Sequence, residues 1–255
     1  MRLSWLRALA LVAAAAAAGC GSDAPPPQTP PSDAKRVDQT KTGTIAGRVV
    51  IEGPVPENPV ARVDDSFCAR ENKGGFSLEN FVVVNGGLDN VFVRIKDRLG
   101  DYYFETPSGA AKIDQHSCRY TPHVIGIQTG QALEISNSDQ TMHNVSAVAK
   151  VNRGFNFGQP MQGLKNTTSF KEPEVMVHLK CDVHGWMSAY IGVVAHPYFG
   201  VTSGGGQFEL KNVPPGTYTI EAWHEKLGTQ TQNVTLGDKE SKELSFTFKT
   251  QATVP

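Results

Sequence analysis

From Thr42 onward the chain consists of short runs in which apolar and polar residues alternate, and no segment has the length or period of a sizeable helix. Ile45, Val49 and Ile51 share one side of the first run, and Phe92-Val93-Arg94-Ile95-Lys96 and Leu133-Glu134-Ile135 keep the same two-residue period. Successive side chains of a strand point to opposite faces, so each run can bury one face and wet the other. Gly53-Pro54, Asn85-Gly86-Gly87 and Ser203-Gly204-Gly205-Gly206 break the runs with residues that favour turns. Such a chain closes a core by stacking sheets, which predicts an all-β fold of β-sandwiches. Asp65 to Asn72 is the one stretch suited to a short helix.

The final segment has its own character. Gly206 to Trp223 reads as two strands around Pro214-Pro215-Gly216, followed by strands at Thr229 to Leu236 and Glu243 to Phe248, the last with Leu244, Phe246 and Phe248 on one face. This resembles the carboxypeptidase regulatory-like, transthyretin-type sandwich, and the resemblance implies a structural or adhesive module over residues 199–250 with no peptidase residues. That span is short for the fold, and Gly43 to Ile51 is a candidate for its missing strand. His224-Glu225 stands alone and reads as polar surface.

Chemistry concentrates in Lys180-Cys181-Asp182-Val183-His184-Gly185-Trp186-Met187, which places Cys, His and Met at C-x2-H-x2-M spacing. A thiolate, an imidazole and a thioether on one loop suit copper, and trigonal His2Cys coordination with a weak axial Met defines the blue-copper electron-transfer site. The loop supplies three of those ligands, Cys181, His184 and Met187. The second histidine is expected from His143, in Met142-His143-Asn144-Val145, where a strand-like run ends. The strand leading to the loop places Val175, Val177, Leu179 and Cys181 on one face, so the sulfur points to the apolar side. Glu174, Met176, His178 and Lys180 form the wetter face. Taken singly, a buried Cys, a Met or a surface His is ordinary; three ligand types within seven residues point to a site.

These two segments look like the metal loops of cupredoxins, the plastocyanin and amicyanin group. The spacing is similar to the short ligand loop of amicyanin, and Asn137-Ser138-Asp139-Gln140-Thr141-Met142-His143-Asn144-Val145 resembles the family's first histidine region. The resemblance spans residues 43–198 and implies a Greek-key β-sandwich holding one type 1 copper ion. It also implies that Asn144 hydrogen-bonds across to the cysteine loop, and that His184 lies near the surface where redox protein partners dock. Trp186 beside it has two readings, an apolar docking patch or simple packing. More broadly the chain resembles bacterial lipoproteins of the methylamine-utilisation-like kind. The expected function is single-electron transfer between redox proteins, with no catalytic site for an enzyme. Two rivals are a copper-delivery lipoprotein using the same ligands and a non-redox binding module.

Four cysteines complete the picture. Residues 1–19 carry Arg2 and Arg7 before an alanine-rich apolar stretch, as in an export signal, and Ala17-Ala18-Gly19-Cys20 resembles a lipoprotein signal that lipidates Cys20. An ordinary cleaved secretory signal is the rival. Either way the expected location is the bacterial cell envelope, facing the periplasm, and lipidation of Cys20 implies contact with the membrane through the lipid. Residues 20–42, rich in proline and poor in large apolar side chains, read as a semi-extended tether. An oxidising compartment permits disulfides, and Cys68 and Cys118 are the pair left over. The alternative gives Cys118, His116 and His123 a second metal. One cysteine in the metal loop argues against a dicopper centre. Removing residues 1–19 takes two arginines and no acid, moving the formal charge from −1 to −3. Nothing in that balance suggests nucleic-acid binding, which shows as a basic surface.

Overall fold

A computed structural model describes residues 32–251 apart from 74, 98 and 101. The expected export signal and Cys20 lie outside the described residues, as does the first half of the tether. Among the described residues no helix is long and apolar enough to cross a membrane.

The fold is all-β. One sandwich pairs a five-stranded sheet, in the order Phe155–Gln159, His143–Val148, Glu174–Lys180, Ser188–Val194, Val124–Gln128, with a four-stranded sheet, in the order Lys165–Thr168, Leu133–Asn137, Ala111–His116, Arg119–Thr121. Ile113, Leu133 and Ile135 from the second sheet meet Val145, Val177, Leu179 and Ile191 from the first in one continuous core. Burying each such side chain contributes about 1.5–3 kcal/mol. The sheets are mixed: Ser188–Val194 runs parallel to Val124–Gln128, and Leu133–Asn137 parallel to Ala111–His116.

The other core is formed by Gly43–Glu52, which pairs antiparallel with Gln207–Val213 and parallel with Ser241–Lys249, facing a sheet ordered Phe199–Val201, Phe92–Ile95, Gly216–His224, Gly228–Leu236. Ile45, Val49, Val93, Ile95, Ile220, Phe246 and Phe248 fill it. Phe246 and Phe248 are fully buried and Leu244 packs partly against them, as their shared face requires. A third cluster of Phe92, Val124 and Val194, joined by Tyr190, Phe199 and Trp223, bridges the two. Gly126 and Gly192 make that bridge possible. A Cβ at either would collide with the Phe92 ring, so the two neighbouring strands leave a slot for it.

Ser66–Glu71 forms the short helix, with Asp65 as N-cap accepting from the N–H groups of Phe67 and Cys68 at 2.9 Å each. In sequence it lies between the two strands of a small hairpin, Val60–Arg62 paired with Gly75–Ser77.

Two sequence expectations need correction. The strand Glu174–Lys180 alternates from Val177 onward, but a register irregularity between Glu174 and Val177 turns Glu174 inward, where it is 7% exposed. Its carboxylate accepts from the N–H groups of Lys150, Val151 and Asn152, a set of bonds that holds its pKa below the ordinary value despite burial. His224-Glu225 is not polar surface either: His224 is 1% exposed, and Glu225 hydrogen-bonds His123 and Tyr190.

Candidate metal centre

Strand pairing assembles the site. His143 opens the strand His143–Val148, rather than ending one, and Cys181 follows the last residue of Glu174–Lys180. The antiparallel register sets Ser146 against Lys180, which brings Asn144 alongside the cysteine loop. The Asn144 N–H points at Cys181 Sγ, 3.4 Å away, and its Oδ1 accepts from the Asp182 N–H at 3.1 Å. Its Nδ2 donates to Asn156 Oδ1 and Phe157 O. Tyr120 ties the same two strands, its hydroxyl donating to Asn144 O and Lys180 O.

The loop then turns tightly. The Met187 N–H donates to His184 O at 2.9 Å and the Cys181 N–H to Met187 O at 3.3 Å, so the C-x2-H-x2-M spacing closes on itself and sends its side chains inward. The His143, Cys181 and His184 ligand atoms all lie within 4.8 Å of one another. The Nδ1 atoms of the two histidines face each other at 3.0 Å, and Cys181 Sγ is 3.8 Å from His184 Nδ1. His143 is fully buried, while Cys181, His184 and Met187 are each 2% exposed.

Electrostatics favour a thiolate here. Burial works against ionisation, but hydrogen bonds from His143, His184 and the Asn144 and His184 N–H groups prevail, bringing the Cys181 pKa down to about 5. His143 Nε2 sits 2.8 Å from Asp139 Oδ2. Burial disfavours the imidazolium, yet Asp139 and Cys181 raise the His143 pKa above its ordinary value. Asp139, buried as well, is held below the carboxylate range by His143 and by the N–H groups of Cys118 and Ser117. The carboxylate thus claims the proton on Nε2 and leaves Nδ1, beside the thiolate, as the position where a metal can replace a proton.

Cys68 and Cys118 form a disulfide, across 50 positions of sequence. This removes the second-site reading of Cys118: His116 is exposed, and His123 bonds Ser188 O and Glu225. Asp65 and Cys68 converge on His184, and Cys118 and Asp139 on His143, but sulfurs in a disulfide lack the thiolate that binds metal. The helix carrying Cys68 instead covers the site. Cys68 Sγ lies 3.8 Å and Asp65 Oδ2 3.9 Å from His184 Nε2. The expectation that His184 lies near the surface is therefore corrected, because a disulfide-tied helix closes over its outer edge.

Sequence reasoning passed over Asp139, Asp65 and Cys68 as neighbours of the histidines. Asp139 stands four residues before His143, inside the segment that resembles the first histidine region, and only its burial at 2% exposure marks it out. Asp65 and Cys68 reach His184 through tertiary contact, for which the local sequence holds no signal.

No family model matches this chain, and no curated protein matches it. Among solved structures, it is similar to the Cu(I) form of an amicyanin mutant, at 22% identity and a TM-score of 0.30 over 34% of this chain and 85% of that one. An oxidised amicyanin mutant gives 20% identity and a TM-score of 0.30, over 40% and 97% respectively. A copper-containing nitrite reductase from Thermus scotoductus SA-01 gives 19% and 0.28, over 39% and 25%. These likenesses span well under half of the chain, so the site is read from its own geometry.

Proposed function

We propose that this chain is a cupredoxin-like, type 1 copper protein that carries single electrons between redox partners. The observation that supports it is the convergence of His143, Cys181 and His184, whose ligand atoms lie within 4.8 Å of one another with the two Nδ1 atoms 3.0 Å apart, and Met187 buried on the same loop. A soft thiolate with two imidazoles and a nearby thioether is a donor set that copper prefers over harder ions. Bound there, copper would supply a one-electron couple.

The protein's own part is to hold the ligands still. Asp139 orients His143, Asn144 fastens the cysteine loop to the neighbouring strand, and the disulfide-tied helix shields His184 from water. Constrained ligands reduce the rearrangement that accompanies a change of oxidation state. The sequence context adds an exported chain anchored through lipidated Cys20, with the proline-rich segment holding the folded part off the membrane.

Copper delivery is the second reading, and it uses the same ligands. The buried, capped site supports carriage over delivery, since a donor of metal needs an accessible ligand. Repeated oxidation and reduction of the copper-loaded protein in the presence of a copper chelator tests this. Retention of the metal through the cycles is expected; loss of copper on each reduction would favour delivery.

A further inference from the structure

We infer that electrons pass between the buried site and the outside through the indole of Trp186, at the junction of the two sandwiches, rather than over the edge of His184. This rests on the copper reading above and names the residue that couples that site to its surroundings.

None of the four candidate ligands is more than 2% exposed. The outward edge of His184 abuts Cys68 and Asp65. That cover is firmly held: the disulfide ties the helix to Cys118, and Asn72 Nδ2 donates to both Cys68 O and Ser117 O. Trp186, half-buried, leads from this enclosure toward the outside. Its ring centroid lies 5.0 Å from that of His184, and its other side lines a cavity of about 140 Å³ together with Met187, Phe76, Leu78, Arg119 and His123. The indole N–H donates to Cys118 O at 3.0 Å, which fixes the ring in this orientation. Tunnelling falls steeply with distance, so a half-buried π system in contact with a ligand ring couples better than a route through the saturated cap.

A packing role for Trp186 asks only for apolar bulk, and this separates the two roles experimentally. The protein is prepared as the mature chain with copper bound, and its exchange is timed with hexaammineruthenium(II) as reductant and ferricyanide as oxidant. Trp186→Leu is expected to slow both reactions about tenfold with the thiolate–copper absorption intact, and Trp186→Phe to restore most of the rate. Leu78→Trp, which fills the cavity from the hairpin side and replaces no candidate ligand, is expected to slow exchange as well. A second readout needs no copper. In the mature Trp223→Phe variant Trp186 is the sole indole, and acrylamide is expected to quench its emission efficiently because the ring borders the cavity. Wild-type rates in Trp186→Leu with an unchanged spectrum would overturn the route while leaving the copper reading intact. If Trp186→Leu fails to fold, unaltered exchange in Leu78→Trp together with shielded Trp186 emission would overturn it. A wild-type protein that shows no thiolate–copper absorption would remove the copper reading and the route together.

Discussion

Asp139 shows how a single side chain sets the state of the centre. It accepts from two backbone N–H groups of the Cys118 turn and from His143, so it joins the disulfide region to the candidate ligand. Asp139→Asn removes the negative charge that helps keep the His143 proton on Nε2. The variant is expected to bind copper about 10–100-fold more weakly, the usual cost of losing such an outer partner, as measured by competition with a chelator. Met187→Leu is expected to leave copper bound while shifting the reduction potential, since an axial thioether mainly tunes it. In the copper-free protein Cys181, with its pKa brought down to about 5, is ionised at neutral pH. Its ultraviolet thiolate absorbance is expected to persist at pH 7 and to fall as the pH drops through about 5. A depressed pKa of this kind contributes stability that is fully present above the unfolded value of 9.0 and is lost as the pH falls through the folded one. Absorbance appearing only near pH 9 would contradict the hydrogen bonding described around the sulfur.

At the scale of elements, the disulfide and the helix it ties act as one cover. Replacing both Cys68 and Cys118 by serine is expected to destabilise the fold by about 2–4 kcal/mol through loss of the loop constraint, read as a lower denaturant midpoint. It is also expected to speed copper loss, because His184 then loses its shield. Glu174 illustrates a different dependence. Its depressed pKa means that its contribution is present above the ordinary carboxylate value of 4.5 and disappears as pH falls through the lower folded value. Glu174→Gln is therefore expected to cost about 1.5–3 kcal/mol at neutral pH and little in acid, as followed by urea unfolding across pH. The sequence made the strands and the cysteine loop legible because alternation and ligand spacing are local. It marked the short helix as well, through Asp65 and Asn72 at its ends. It did not show that this helix covers His184, nor that Glu174 turns inward at an irregular register, because both depend on contacts between residues far apart in the chain. For the same reason His224-Glu225 looked like surface: Glu225 meets His123 and Tyr190 only once the two sandwiches pack together.

Over the whole molecule, the packing of the two sandwiches matters for the site. Phe92 enters the slot left by Gly126 and Gly192, and Glu225 reaches His123, which in turn bonds the carbonyl of Ser188 next to Met187. Gly192→Ala is expected to force the Phe92 ring aside and cost about 1–3 kcal/mol, with partial recovery in a Gly192→Ala, Phe92→Leu double variant, checked by thermal unfolding. The central claim is that Cys181, His143 and His184 bind one copper as a type 1 centre. The measurement that bears on it most directly is the visible and electron-paramagnetic-resonance spectrum of the copper(II)-loaded protein beside Cys181→Ser. An intense blue thiolate-to-copper absorption with a narrow copper hyperfine splitting is expected in the wild type and should vanish in the variant. A spectrum that is identical in both proteins would contradict the assignment.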